Sequence, residues 1–180
     1  MTVRAIEHVG MTVPDMEAAT QFFADAFGAK HIYDMLEEPL GGPDVEAGLG
    51  VPKGAVITAI RMLRLGNGPN IELFTYAGVS QGEPARPNDF GLQHICLYVD
   101  DIDTAADLFA AAGGTLLSRP GDLPGGDAGL GNRYVYARTP RGATIELVTY
   151  PSSQAYEVRT ELRRWRPPST RADDDRTQNS

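Results

Sequence analysis

The chain has 180 residues, 42% of them hydrophobic, which is enough for one compact domain or two tightly packed half-domains. Its formal net charge of −8 argues against duplex nucleic acid as a partner, because a DNA-binding surface must supply positive charge. There is no apolar run of about 18 residues to span a membrane, no secretory signal pattern at the N-terminus and no second cysteine to pair with Cys96, so we expect a cytoplasmic protein.

The first predicted elements are a strand, a helix and a second strand. Apolar and β-branched residues alternate through residues 3–13 and place His8 on the opposite face of this strand. Asp15 is positioned to cap a helix whose apolar residues recur at helical spacing until Gly28. Residues 30–36 then favour another strand.

A long segment rich in glycine and proline separates these elements from the next two strands. Residues 38–54 contain too many breakers for a regular element, so we predict a loop that borders the functional site and controls access to it. Strands are predicted at 55–65 and 70–76. The second of these carries Glu72 among residues that otherwise belong in a buried strand.

The second half of the chain repeats the order of the first. The phrase LQHICLYV at 92–99 corresponds to IEHVGMTV at 6–13, and IELVTY at 145–150 corresponds to IELFTY at 71–76. The other predicted elements of this half are a helix capped by Asp101 or Asp103, a strand at 115–118, a loop at 119–131 that also borders the site, and strands at 133–138 and 143–150.

This repeat predicts an α+β fold made of two tandem βαβββ modules. The first module covers 1–77, a linker covers 78–91 and the second module covers 92–150. We expect a short helical extension at 151–166, packed on the body or on a partner subunit. The polar, proline-led tail at 167–180 is expected to be disordered.

The repeat duplicates a histidine and a glutamate, which gives the set His8, Glu72, His94 and Glu146. A lone histidine in an apolar strand is more often a hydrogen-bonded core residue than a ligand, but a buried unpaired carboxylate costs several kcal/mol or loses its charge. If the modules pack with pseudo-two-fold symmetry, the four side chains converge, and they suit one divalent ion such as Zn, Ni, Co, Mn or Fe. His31 has no counterpart and is interpreted as structural or surface.

Polar residues on the neighbouring strands are candidates for substrate contact. Arg61 lies on the third strand of the first module, and Arg133, Tyr134 and Tyr136 lie on its counterpart. Because side chains alternate along a strand, either the two tyrosines or Arg133 faces the site. Cys96 shares the face of His94, and we interpret it as a small buried thiol.

Paired βαβββ modules with His on the first strand and Glu on the last resemble the vicinal oxygen chelate superfamily, over residues 4–150. The resemblance implies curled sheets that form a cleft (the glyoxalase/bleomycin resistance/dioxygenase fold), a metal held by the two histidines and two glutamates, and open positions for water or two substrate oxygens. This superfamily contains metal-dependent enzymes and metal-free binding proteins, so the fold leaves the reaction open.

The phrases GNGPNIELFTY and IELVTYPSSQAYE resemble the bacterial subgroup that includes cyclitol epimerases of the valiolone type. This implies a metal-dependent isomerase or epimerase, or a lyase of the glyoxalase type. It would act on a small oxygenated carbonyl substrate through an enediolate, with Glu72 or Glu146 moving the proton. The alternatives are an Fe(II)-dependent extradiol-type dioxygenase and a non-catalytic small-molecule binding or resistance protein.

Two further expectations concern the partners of the chain. Bacterial glyoxalase I carries an arginine where this chain has Thr12, which puts glutathione use in doubt. A homodimer is expected, and whether the four ligands come from one chain or from two stays open.

Overall fold

The computed structural model of the chain describes residues 5–167, which form two five-stranded sheets with one long α-helix on each. Within these residues, no helix is long and apolar enough to cross a membrane.

The first sheet is built by residues of the first module. Its strands run in the order β1-β5-β4-β2, with β1 parallel to β5 and the other neighbours antiparallel, and β3 pairs with β4. The elements of this module are β1 (His8–Thr12), α1 (Met16–Phe27), β2 (Lys30–Asp34), β3 (Leu40–Gly41), α2 (Pro43–Leu49), β4 (Val56–Arg64) and β5 (Asn70–Ala77).

The second sheet repeats this topology. Its elements are β6 (Ile95–Tyr98), α3 (Ile102–Ala111), β7 (Thr115–Leu116), β8 (Gly121–Asp122), β9 (Arg133–Arg138) and β10 (Thr144–Thr149). The strand order is β6-β10-β9-β7, with β8 paired to β9. The predicted pair of βαβββ modules is therefore confirmed.

Both long helices begin at an aspartate. The Asp15 carboxylate accepts a hydrogen bond from the Ala18 backbone N–H at 2.9 Å, and Asp101 accepts one from the Thr104 N–H at 2.8 Å. These contacts satisfy N–H groups that have no partner within the helix. Gly28 ends α1 in the left-handed region, with φ of 65°, where glycine is favoured.

One hydrophobic core joins the two modules. It includes Leu73 of the first sheet, Leu147 of the second sheet and the faces of α1 and α3. The two helices meet through Phe22 and Phe109, whose rings pack edge to face with centroids 5.3 Å apart. Each sheet thus uses its helix-bearing face for the core, and its other face carries the alternate set of side chains.

The segment 38–54, predicted to be a loop, contains β3 and the helix α2. Pro43 occupies the first turn of α2, where a missing N–H costs nothing, and Gly50 ends the helix in the left-handed region with φ of 65°. The two residue types that suggested a loop therefore mark the boundaries of a helix. The 119–131 segment likewise contains β8 and a short 3-10 helix at Gly125–Asp127.

The helix expected at 151–166 is reduced to a 3-10 helix at Ala155–Val158. The rest of this segment lies without regular structure, and it contacts Tyr150, the residue after β10, through the Trp165 carbonyl and the Arg164 side chain. The expected disorder of the tail concerns residues that, beyond 167, lie outside the described part of the chain.

Candidate metal centre

The first module places His8 and Glu72 side by side. β1 and β5 are parallel neighbours, and Glu72 is in register with Gly10, two residues beyond His8 on the same face. The core takes Ile71 and Leu73, so Glu72 must point to the opposite face, where it is 8% exposed. The distance from His8 Nε2 to Glu72 Oε2 is 3.2 Å.

The second module repeats this pair with His94 and Glu146. Glu146 is in register with Cys96 of β6, and the core takes its neighbours Ile145 and Leu147. His94 lies immediately before β6, not inside it. The distance from His94 Nε2 to Glu146 Oε2 is 3.0 Å, so both modules present the same two donor atoms at nearly the same separation.

In each pair the histidine Nδ1 atom forms a hydrogen bond with the side chain of the preceding residue. His8 Nδ1 lies 2.5 Å from Glu7 Oε2, and His94 Nδ1 lies 2.8 Å from Gln93 Oε1. When the ring proton is on Nδ1, these oxygens accept it, and the Nε2 lone pair faces a glutamate oxygen. The hydrogen bond to Glu7 is the main cause of a raised His8 pKa, and the charge of Glu72 adds to the rise.

A cation suits this arrangement. In that tautomer the Nε2 lone pair and the carboxylate repel each other, and a positive ion between them, whether a proton or a metal, stabilises both. Donor atoms 3.0 and 3.2 Å apart match the roughly 3 Å expected between adjacent ligands with bonds of about 2.0–2.2 Å at right angles. Ligating histidines also usually donate their second N–H to an oxygen acceptor. The donor set therefore fits a divalent metal.

Within one chain, the four side chains form two separate pairs. Among residues 5–167, no three His, Cys, Asp or Glu side chains lie close enough together to hold an ion. The reason is the packing of the modules, which join through their helix-bearing faces, so that each pair lies on the sheet face that the core does not use.

Two tyrosines of β9 lie on the face of the second pair. Tyr136 is directly opposite Glu146 in the antiparallel register, and its ring packs edge to face with His94 at 5.2 Å. Tyr134 follows at 5.8 Å from Tyr136. Burial, and then the charge of Glu146, raises the pKa of Tyr136, so its hydroxyl stays protonated and can donate a hydrogen bond.

The two candidate arginines lie on the helix-bearing faces, away from the pairs. Arg61 Nε lies 2.6 Å from Asp34 Oδ1, and its Nη2 lies 2.9 Å from Glu17 in the first turn of α1. Arg133 Nη1 lies 2.6 Å from Asp103 in the first turn of α3. These equivalent ion pairs link each sheet to the first turn of its helix. Because both arginines point away from the His–Glu pairs, we do not include them in the proposed site.

Two other residues singled out in the sequence, His31 and Cys96, are not assigned a role in the site. His31 Nε2 is 3.2 Å from Asp34 Oδ1 on an exposed strand. Cys96 is accessible to solvent, where a buried thiol was expected. Desolvation by the surrounding protein, and then the Glu146 carboxylate, raises its pKa to about 12, so it is a neutral thiol and not an activated nucleophile.

The segment at 38–54 contributes to an apolar cavity of about 180 Å³ on the face of the first pair. Thr12 and Tyr76 follow His8 and Glu72 at even spacing along their strands and line this cavity. Its other lining residues are Val51, Pro52, Ala55, Val79 and Gln81.

Sequence reasoning missed the contribution of the C-terminal segment. Arg164 and Arg166 each place a guanidinium 5.1 Å from the centre of the Tyr150 ring. Tyr150 occupies in the second module the position of Tyr76 in the first. The run of arginines after 158 was the signal that could have pointed to a site here.

Comparison with known proteins gives a consistent family. A model of the "Glyoxalase/Bleomycin resistance protein/Dioxygenase superfamily" matches residues 5–147. The chain is 34% identical over 176 residues to a 2-epi-5-epi-valiolone epimerase from Actinomyces sp, with 94% of this chain and 92% of the relative covered. It is 30% identical over 146 residues to an ethylmalonyl-CoA/methylmalonyl-CoA epimerase from Cereibacter sphaeroides, with 79% and 95% covered.

Solved structures show the same fold. A glyoxalase family protein from Bacillus cereus aligns with a TM-score of 0.65 at 19% identity, covering 83% of this chain and 95% of the other.

Proposed function

Because the chain belongs to the Glyoxalase/Bleomycin resistance protein/Dioxygenase superfamily, known also as the vicinal oxygen chelate superfamily, we propose that it is a metal-dependent epimerase or related isomerase. The observation that carries the proposal is the duplicated His–Glu pair, with donor atoms 3.2 and 3.0 Å apart. The two relatives named as epimerases support this choice over the dioxygenase and the binding protein.

We propose that two copies of the chain complete the site. A metal in such a site usually takes three or four protein ligands, and each pair supplies two. In a dimer with two-fold symmetry, the His8–Glu72 pair of one copy would meet the His94–Glu146 pair of a second copy. The reverse contact would form an equivalent second site. This arrangement explains why the pairs lie on the faces that the shared core leaves free.

The residues around the His–Glu pairs can be assigned roles in an epimerisation. When bound, a divalent metal polarises a carbonyl and stabilises negative charge on its oxygen. Epimerisation then needs a base that removes the proton from the neighbouring carbon and an acid that returns a proton to the other side. Glu72 and Glu146 are the carboxylates that lie against the histidine Nε2 atoms, and we assign the proton transfers to them. The Tyr136 hydroxyl is placed to donate to a substrate oxygen.

A polyhydroxylated cyclic ketone of the valiolone type is the first substrate to test, given the relative at 34% identity. The protein loaded with divalent metal in deuterated water should exchange the hydrogen next to the carbonyl, as followed by NMR. Glu72→Gln and Glu146→Gln should each slow this exchange by about 100-fold or more, because each removes a group that carries the proton.

Glu83→Gln is the matched control, since Glu83 lies exposed in the linker and should leave the rate unchanged. Exchange at the wild-type rate in both site variants would contradict the assigned roles. Saturable binding of the ketone without exchange or product would favour a binding protein instead, and uptake of dioxygen with a catechol in the presence of Fe(II) would favour a dioxygenase.

A further inference from the structure

The segment after β10, residues 151–167, folds back onto the second sheet and is named here the C-terminal arm. Its anchor is Tyr150, which is 3% exposed and whose hydroxyl donates to the backbone carbonyl of Trp165. The Arg164 backbone N–H donates to the Tyr156 hydroxyl at 2.8 Å, which links the 3-10 helix to the last residues of the arm.

The arm covers the far end of the face that carries His94 and Glu146. Tyr150 lies four residues beyond Glu146, which corresponds to roughly 13 Å along a strand. Tyr98, four residues beyond His94, packs edge to face with Tyr150 at 4.9 Å. The guanidinium groups of Arg164 and Arg166 above Tyr150 therefore lie on the same face as the second pair.

Three arginines of the arm surround an open depression of about 390 Å³. Arg163 and Arg166 share the carboxylate of Glu157, at 3.5 and 3.4 Å. Arg164 Nη1 lies 3.0 Å from Asp127 Oδ2. Among the described residues, three positive charges thus meet two carboxylates, which leaves an excess of positive charge on a chain whose net charge is −8. The full lining is Ser153, Tyr156, Glu157, Arg163, Arg164 and Arg166.

The guanidinium groups of Arg163 and Arg164 have more N–H donors than their partners within the described residues use. Arg163 uses Nη1 for the backbone carbonyls of Thr160 and Leu162, at 2.6 and 3.0 Å. Arg164 has one carboxylate partner among residues 5–167. Guanidinium is a planar group with several N–H donors, and it matches the oxygens of a phosphate in pairs. Tyr156 adds a hydroxyl at the same depression.

We propose that this arginine pocket binds a phosphate group of the substrate. The anion-binding part stands on the geometry of the arm, and the assignment to the substrate rests on the proposed function. The substrate would then be a phosphorylated polyol ketone, with its carbonyl at the His–Glu pairs and its phosphate at Arg163 and Arg164.

The first test is binding of pyrophosphate to the full-length protein by calorimetry at low ionic strength. Wild type should bind it saturably. Arg163→Gln should weaken binding about 10-fold or more, because it removes a charged donor, while the contacts of Tyr150 with the rest of the arm remain. Arg164→Lys keeps the charge but loses the planar group, and should also bind more weakly. Arg141→Gln, in the exposed turn before β10, is the matched control and should bind as wild type does.

Failure of wild type to bind pyrophosphate, or equal affinity in wild type, Arg163→Gln and Arg164→Lys, would overturn the pocket. Neither result bears on metal binding or on exchange of an unphosphorylated ketone, so the epimerase proposal would stand.

The second test separates a substrate phosphate from free phosphate. Wild type should show a lower KM for a phosphorylated ketone than for its unphosphorylated form in the deuterium exchange assay. Arg163→Gln should lose this preference, because its KM for the phosphorylated form should rise toward its KM for the unphosphorylated form. Binding of pyrophosphate without any such preference in wild type would overturn the assignment to the substrate.

Discussion

The two modules present the same His–Glu pair in different surroundings. Around His8 and Glu72 the face is apolar: Met62 is the residue opposite Glu72, and the cavity beyond it is lined mostly by apolar side chains. Around His94 and Glu146 the face carries hydroxyl and thiol groups, because Tyr136 replaces Met62 and Cys96 replaces Gly10, and an apolar cluster of Leu123, Val148 and Tyr150 lies beyond them. The duplication has thus kept the pairs and changed their neighbours.

Because the two modules differ around the His–Glu pairs, the proposed dimeric site would have two unlike walls. One wall, from the first module, would offer apolar contacts, and the other, from the second module, would offer hydroxyl groups and the arginine pocket. A substrate bound between unlike walls has one preferred orientation, so the two glutamates would approach different sides of the reacting carbon. An epimerase needs such an arrangement because the proton leaves one side and returns to the other.

The largest expected effect comes from giving His8 and His94 the same hydrogen-bond acceptor at Nδ1. Glu7→Gln replaces the carboxylate at His8 Nδ1 with the amide that Gln93 gives to His94. A carboxylate acceptor makes the imidazole a stronger ligand, so the metal affinity should fall about 10-fold or more. Titration against a competing chelator measures this change. Gln93→Glu is the reciprocal variant and should bind metal more tightly, and equal affinity in all three proteins would refute a role for this second hydrogen bond.

A second contrast lies at the residue before β2 and β7. The first module has Ala29 there, and the second has Gly114, where a Cβ atom would lie 2.1 Å from the Phe109 ring. Gly114→Ala should lower the free energy of unfolding by about 1–3 kcal/mol, because the ring must move within a packed core. Urea unfolding measures the loss, and Ala29→Gly, which creates no clash, is the comparison. An unchanged urea midpoint for Gly114→Ala would show that the core has room for the methyl group.

The smallest effect concerns the arginine contacts that fasten each sheet to its helix. The hydrogen bond from Arg61 is the main cause of a lowered pKa at Asp34. The folded-state pKa lies below that of the unfolded chain, so the contact stabilises the protein above roughly pH 4 and is lost as pH falls through the folded value. Asp34 is 46% exposed, so we expect about 1 kcal/mol or less.

Arg61→Gln should therefore be less stable than wild type at pH 7 and should lose less further stability on acidification. Arg133→Gln should lose less stability at pH 7 than Arg61→Gln, because Arg133 has one acidic partner and Arg61 has two. Parallel pH profiles for wild type and Arg61→Gln would contradict the assignment.

Local signals in the sequence were sufficient to predict the order of strands and helices in the two modules. Asp15 and Asp101 mark helix starts because their side chains satisfy N–H groups that no helix can satisfy by itself. The sequence also singled out Glu72 and Glu146 as charged residues within buried strands, and the structure places them on the face away from the core because the flanking apolar residues enter it. The fold and the family resemblance came from the repeated order of elements, with one histidine and one glutamate at equivalent places in each half.

Non-local contacts explain what the sequence did not reveal. The helix α2 was interpreted as a loop because Pro43 and Gly50 are breakers inside a helix but boundaries at its ends. Outside its short 3-10 helix the C-terminal arm has no regular hydrogen-bond pattern, and its position depends on Arg164 and Arg166 packing on Tyr150. The packing of α1 on α3, which separates the two pairs, depends on the shapes of the phenylalanine side chains, which periodicity does not encode.

Subunit complementation tests the shared site most directly. One variant carries His8→Ala with Glu72→Ala, and the other carries His94→Ala with Glu146→Ala. Each alone should form dimers with half-sites and lack bound metal. Unfolding and refolding them together should produce mixed dimers in which one site has all four ligands. With random pairing, the metal content and exchange activity should recover to about a quarter of the wild-type value. A mixture as empty of metal as its parents would contradict a site shared between two chains.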